Sequence, residues 1–174
     1  MFSDPTANLK QFDLRDGMSV ADFGAGSGHY SIAAAKIMHG GKVYAIDVQK
    51  DLLARLKSEA ERNRASGIEI ISGDIEKKGG TKLADKSVDR VIFSNILFQL
   101  EDKKGGIAEA RRILKDGGKL LLIDWSDSWG GMGPAQSAVV SASKAEELFT
   151  ANGFSKEREI DAGANHYGMI FVKN

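Results

Sequence analysis

The stretch VADFGAGSGHYSIAAA, Val20 to Ala35, changes character halfway along. Val20, Ala21 and Phe23 read as the end of a buried strand and Ser31 to Ala35 as a small-residue helix, so Gly24, Gly26 and Gly28 fall in the turn between them. Glycine admits positive φ and lacks the Cβ that would hold a ligand away from the backbone. A strand, a glycine turn and a helix N-terminus in succession present unpaired N–H groups to whatever lies above them. Three glycines at alternate positions exceed what a tight turn needs, and the pattern points to a bound cofactor.

Outward from this stretch, short apolar runs recur with helical segments between them: MSVADF (18–23), GKVYAID (41–47), IEIIS (68–72), VDRVIFS (88–94) and GKLLLID (118–124). Strands alternating with helices at this spacing predict a parallel sheet covered on both faces, and the nearly all-apolar runs fit strands buried on both sides. KDLLARLKSEAERNRA (50–65) places Leu52, Leu53, Leu56 and Ala60 on one stripe, and GGIAEARRILKDGG (105–118) does the same before Gly117 and Gly118 end it. SKAEELFTANGF (143–154) opens with Ser143 three residues before Glu146, the pattern of a capping box. The tail predicts two strands, KEREID (156–161) and HYGMIFVK (166–173), joined as an antiparallel hairpin through AGAN. The expected fold is a single α/β domain over 1–174: a doubly wound, seven-stranded, mostly parallel sheet with its last strand antiparallel, in a three-layer α/β/α sandwich. The longest stretch without pattern, 125–142, follows the fifth strand at the carboxyl edge, where open α/β sheets bind ligands.

The 24 Lys and Arg balance 24 Asp and Glu, so no overall field draws the chain to nucleic acid or an anionic membrane. The absence of cysteine removes disulfides, thiolate metal sites and cysteine nucleophiles together, and a reducing cytoplasm is the simplest home. The N-terminal MFSDPTANLKQFDL has no apolar signal core, and no window approaches the ~20 apolar residues of a membrane span.

The glycine spacing bears on the cofactor. A dinucleotide fingerprint, G-x-G-x-x-G, would need glycine where His29 stands. The chain reads D-x-G-x-G-x-G instead, and Asp22, two residues before Gly24, would repel a pyrophosphate but suit a ligand with an ammonium group. Asp47 closes the next strand, where a carboxylate accepts ribose hydroxyls in nicotinamide and adenosine sites alike.

With these residues the chain resembles the class I S-adenosylmethionine-dependent methyltransferases over nearly its whole length. VADFGAGSGHY resembles their first motif and VYAIDVQ the second; SGDIE (72–76) falls where the family sets an acidic residue against adenine; SVDRVIFSNILFQLED (87–102) and RRILKDGGKLLLIDW (111–125) are similar to the fourth motif and to the helix, double glycine and fifth strand. More narrowly, DW…MGP…S…AEELFTANGF is similar to small type-11 methyltransferases related to those of quinone biosynthesis. The resemblance implies S-adenosyl-L-methionine as cofactor, held by Asp22, Gly24, Gly26, Gly28 and Tyr30 at its methionine part, Asp47 at the ribose and Asp74 with Ile75 at the adenine, with Val48 a further cofactor contact and Asn95 beside the methyl. It implies methyl transfer by in-line displacement to a small-molecule or lipid-like acceptor, a reaction that asks chiefly for alignment.

Asp124, at the end of the fifth strand, is the best-placed acid or base, with the alternative of capping the following loop; His29 is a second candidate base, or a helix cap. Trp125 and Trp129 flank the 125–142 loop, either against the acceptor or anchoring the loop. His39 and His166 read as structural or surface residues, and no metal site is expected. Only about 17 residues precede the first strand, and TANLKQF supplies one short turn of cover with Phe2, Leu9 and Phe12 as its contacts. The site then stays open for a large acceptor, or is closed by the 125–142 loop or by a second subunit of a homo-oligomer. Two other readings stay open: a catalytically silent or partner-dependent cofactor-binding subunit, and a nicotinamide-dependent reductase, the latter disfavoured by His29 and by the lack of a Tyr-x-x-x-Lys pair.

Overall fold

The computed structural model describes residues 3–128 and 133–174. Trp129 and Phe2 lie outside these described residues. The chain runs α1 (Pro5–Lys10), β1 (Ser19–Phe23), α2 (His29–Ile37), β2 (Lys42–Asp47), α3 (Lys50–Arg62), β3 (Ile68–Ser72), β4 (Val88–Ser94), α4 (Lys103–Ile113), β5 (Leu114–Trp125), α5 (Ala142–Thr150), β6 (Phe154–Ile160) and β7 (His166–Lys173), with short 3-10 turns at Leu97–Gln99 and Gln136–Ala138. The seven strands form one sheet in the order β3-β2-β1-β4-β5-β7-β6. β1 to β5 pair in parallel, and β7 runs antiparallel to both β5 and β6. The expected seven-stranded sheet, with its last strand reversed and its C-terminal hairpin, is the observed one.

Each face of the sheet buries its own core. On one face α4 and α5 cover Phe93, Leu122, Phe149, Phe154 and Phe171. Phe149 is the hub there: its ring stacks on Phe171 at 4.8 Å and meets Phe93 edge-on at 5.8 Å, geometries that aromatic rings favour. On the other face α1 and α2 cover Ile92, Leu121, Ile123 and Ile170 through Leu9, Phe12, Tyr30 and Ala34, and α3 seats Leu56 on Ala45. Strand order reverses between β1 and β4, so the loops after β1 and β4 diverge and leave a crevice at their carboxyl ends.

Three local readings are corrected. The fourth helix ends at Ile113 rather than at the double glycine, because Leu114 already pairs with Val88 and the ladder resumes only at Lys119 opposite Arg90; Gly117, at φ 69°, turns the intervening residues. The cap of α5 is Ser141, whose hydroxyl accepts from Lys144 N at 3.3 Å, so Ser143 lies inside the helix. α2 has Gly28 at its cap with no side-chain cap bond, which leaves His29 as an exposed first residue and not a cap.

A buried carboxylate holds the 77–85 segment. Glu109 on α4, 1% exposed, accepts from Thr81 Oγ1 at 2.6 Å, from Gly79 N at 2.9 Å and from Arg112 Nε at 2.8 Å. Burial alone would raise its pKa; Arg112, Thr81 and the two amides overcome that and bring it down to about 2.

Candidate cofactor and methyl-transfer site

A cleft of about 510 Å³ opens at the switch point, lined by the ends of β1, β2 and β4 and by the segment after β3. Asp22, Gly24, Gly26, His29, Tyr30, Asp47, Val48, Asp74, Ile75 and Asn95 all line it. The three acidic residues stand in the order of the strands, Asp22 near the carboxyl end of β1, Asp47 ending β2 and Asp74 just past β3.

Asp22 is 2% exposed and its Oδ2 accepts from Ser31 Oγ at 2.6 Å, tying β1 to α2. Burial pushes its carboxyl up to about 7, against the opposing hydrogen bonds from Ser31, with the nearby Asp47 adding to the rise. Asp47 organises the glycine turn: Oδ2 accepts from Gly26 N and Oδ1 from Gln49 N, both at 2.9 Å. Each oxygen keeps a lone pair for a ligand. Asp74 accepts from Glu76 N at 3.0 Å and pairs with Lys77 at 3.1 Å, and Lys77 holds its carboxyl below the ordinary range. Val48, 60% exposed, is the one large exposed hydrophobic side chain among the described residues, and it stands at this cleft.

The glycines divide by role. A Cβ on Gly24 would collide with Ile96, and one on Gly28 would lie 2.5 Å from Leu56 Cγ, so these two let neighbouring elements close up. Gly28 is buried and does not line the cleft. Gly26, at φ 54°, has no atom nearer to its Cβ position than Gly24 O at 3.9 Å, and is the glycine whose open side meets the cleft.

Of the two readings of Asp124, the geometry is that of the capping residue and not of an acid or base in the cleft. It is 1% exposed, its Oδ2 accepts from Leu97 N at 2.9 Å and its Oδ1 from Trp125 N at 2.8 Å. Burial raises its pKa to about 6, those amides opposing. It caps the 3-10 turn after β4 and does not reach the cleft. Trp125 stacks against His166 with ring centroids 4.4 Å apart, and Gly133 closes on its ring, so Trp125 anchors the described end of its loop. His29 lines the cleft but is exposed, with no hydrogen-bonded partner that would set it up as a base.

Sequence reading missed how α1 joins the site. Asn8, 1% exposed, donates through Nδ2 to Tyr30 OH at 2.8 Å and to Ser3 Oγ at 2.7 Å. Ser3 and Pro5 then wall the cleft beside Tyr30 and Asp22. A buried asparagine in a six-residue helix was the only signal available in the sequence.

The doubly wound sheet with its reversed last strand, the glycine turn bound to the Asp47 carboxylate and the buried Asp22 define a class I S-adenosylmethionine-dependent methyltransferase domain. The chain belongs to the methyltransferase domain family, whose model matches residues 14–166, and S-adenosylmethionine is the cofactor of that class. Among individual relatives, it is 31% identical over 154 residues, 87% of this chain and 52% of the relative, to malonyl-[acyl-carrier protein] O-methyltransferase of Methylococcus capsulatus. It is 27% identical over 122 residues, 70% of this chain and 48% of the relative, to the ubiquinone/menaquinone biosynthesis C-methyltransferase of Paracoccus denitrificans. The chain thus spans about half the length of these two curated relatives. The crystal structure of a methyltransferase from Aquifex aeolicus superimposes with a TM-score of 0.89 at 26% identity, over 99% of this chain and 91% of that one. The [4+2]-cyclase SpnF shares the fold at a TM-score of 0.83 and 16% identity, over 97% of this chain and 79% of that one.

The residues fit the cofactor. The open side of Gly26 gives a ligand backbone contact, Asp22 offers a carboxylate to an ammonium, Asp47 offers lone pairs to ribose hydroxyls, and exposed Val48 beside Ile75 offers apolar cover to a purine. Among the described residues no group of His, Cys, Asp and Glu is arranged to hold a metal ion, and no helix is long and apolar enough to cross a membrane.

Proposed function

We propose that the protein transfers the methyl group of S-adenosylmethionine to a small-molecule or lipid-like acceptor, with Asp22 at the ammonium of the methionine part, Asp47 on the ribose hydroxyls and Asp74 with Ile75 at the adenine. The observation that carries this reading is the Asp47 carboxylate, which draws Gly26 N to 2.9 Å and so shapes the turn at the same cleft whose far wall is the buried Asp22. When bound, the cofactor supplies a sulfonium-activated methyl. The chain's own task is orientation and exclusion of water, which can supply several kcal/mol of barrier lowering, on the order of 7–11 in the best intramolecular cases. Tyr30, fixed by Asn8 and Ser3, walls one end of the cleft, and Leu100 and Ile96 wall the side toward β4. The quinone and acyl-carrier relatives support an acceptor that is small or carried on a larger group.

The test is transfer of labelled methyl from S-adenosylmethionine into a small-molecule extract. Label incorporated by the wild-type chain and lost in Asp47→Ala supports the reading. S-adenosylhomocysteine binding without any transfer supports the silent or partner-dependent alternative instead.

A further inference from the structure

The sheet has two edge strands, β3 and β6, and they are built differently. An edge strand offers unpaired N–H and C=O groups to any chain that comes alongside, and proteins blunt such edges with charge and with bulges. β6 is blunted in both ways: Lys156, Glu157, Arg158 and Glu159 follow one another, and its ladder with β7 shifts between Lys156 and Arg158. β3, Ile-Glu-Ile-Ile-Ser over 68–72, carries one charge and pairs with β2 without a shift.

The register identifies the spare groups of β3. Val43 N donates to Gly67 O and Gly73 N donates to Asp47 O, so by alternation Gly67, Glu69, Ile71 and Gly73 turn their backbone groups toward β2. Ile68, Ile70 and Ser72 turn theirs outward. Of these outward groups, Ser72 O alone has a partner among the described residues, Lys82 Nζ at 2.6 Å. Beside the edge a groove of about 590 Å³ runs between β3 and α3, with half-buried Ile68 and Ile70 along its floor and Lys57, Glu61 and Arg64 at its rim.

The occupant that fits this edge is the same strand of a second copy, antiparallel across a two-fold axis. In an antiparallel pair, two residues that face each other at a hydrogen-bonded site exchange both N–H···O bonds. Centred on Ile70, the pair sets Ile68 opposite Ser72 and Ile70 opposite itself, and so engages every outward N–H and C=O of both copies. Centred on Glu69, it engages two of the three outward residues and sets two carboxylates face to face, which is unfavourable. Centred on Ile71, it leaves Ile68 without a partner.

Charge selects the same register. Glu69 points to the face opposite Ile68 and Ile70, which is the face of α4, and there Glu109 holds the 77–85 segment that carries Lys82. With Ser72 opposite Ile68, Lys82 of each copy stands beside Glu69 of the other. On the α3 face the two Ile70 side chains meet at the axis and remove apolar surface of both grooves from water.

We propose that the protein forms a two-fold dimer by antiparallel pairing of β3 with β3, centred on Ile70, with Glu69 and Lys82 paired across the axis. The interface is isologous and closed, so assembly stops at two copies. The inference is independent of the methyl-transfer reading.

Sedimentation equilibrium of the full chain reads the mass. The expected result is a rise above 18.7 kDa toward twice that mass as the concentration goes from about 1 to about 500 μM, the range of a small interface. Ser72→Pro deletes an outward N–H that the β2 ladder does not use, and should weaken the dimer at least tenfold. Glu69→Lys and Lys82→Glu should each stay monomeric over the same range. An equal mixture of these two should dimerise again, because unlike charges then face each other at both contacts. A wild type that stays at 18.7 kDa throughout overturns the proposal. So does a dimer that persists in Ser72→Pro, or a mixture of the two charge variants that stays monomeric. Should Ser72→Pro fail to fold, the wild-type mass and the mixture decide it.

Discussion

Asp22 and Asp47 are two carboxylates on neighbouring strands with different environments, and the difference has consequences. Asp22 titrates near 7 in the free protein because burial disfavours its charge. Its folded pKa lies above the unfolded value of 3.8, so its contribution to stability is present below about pH 4 and is lost as pH rises through about 7. Asp124, at about 6, slopes the same way. A ligand ammonium selects the ionised Asp22, so affinity for S-adenosylhomocysteine should rise between pH 5 and 7.5, by roughly tenfold or less per unit; Asp22→Asn should flatten that rise, measured by calorimetric titration at several pH values. Asp47→Ala should weaken the same ligand by at least tenfold, on the order of the 1.4 kcal/mol of one charge-assisted bond. The fold should be retained at a lowered melting temperature, because the Gly26 and Gln49 amides lose their acceptor, and unchanged affinity would contradict the ribose assignment.

At the scale of elements, Glu109 and Phe149 carry testable weight. Glu109 on α4 binds Gly79, Thr81 and Arg112 together. Its folded pKa, about 2, lies below the ordinary glutamate value of 4.5, so the stability it contributes is present above pH 4.5 and lost as pH falls toward 2. Glu109→Gln should cost about 1–3 kcal/mol at neutral pH and make acid unfolding less steep in that window. Phe149→Ala should cost about 3–5 kcal/mol, because three aromatic neighbours are left around a cavity. Chemical denaturation at constant slope checks both. The element scale is also where the sequence was most legible. β3, β4 and β7 were read at their observed bounds, since runs such as VDRVIFS have an apolar character that only a buried strand explains. The end of α4 was misread because a double glycine marks either a helix stop or a turn entering a strand, and the pairing of Leu114 with Val88, remote in sequence, decides between them. The Glu109 staple was unreadable, as its partners converge only after α4 packs under the 77–85 segment.

On the whole molecule, the cleft residues were largely legible because the strand order brings the ends of β1, β2 and β4 together once a parallel sheet is inferred. Asp124 and Trp125 were legible only as pairs of alternatives, acid or cap and acceptor contact or loop anchor: a strand end names the edge of a sheet but not the direction in which the following loop folds back, and here both Asp124 oxygens accept from the backbone amides of Leu97 and Trp125. The same holds for α1, whose docking joins distant parts. It meets Tyr30 through Asn8, and Gln11 bonds Asp161 O at 2.9 Å beside the C-terminal hairpin. Asn8→Leu should therefore loosen the cleft wall and the N-terminal cover together, raising the dissociation rate of S-adenosylhomocysteine severalfold and speeding proteolysis before β1. Stopped-flow release and limited digestion read the two effects, and a change in one alone would uncouple them.

The central claim is that the cleft at the switch point is an S-adenosylmethionine site and not a nicotinamide site. Isothermal titration of the chain with S-adenosylmethionine, S-adenosylhomocysteine and NADH in parallel tests it most directly. Binding of both adenosyl ligands with no heat from NADH is the expected result; binding of NADH alone would contradict it.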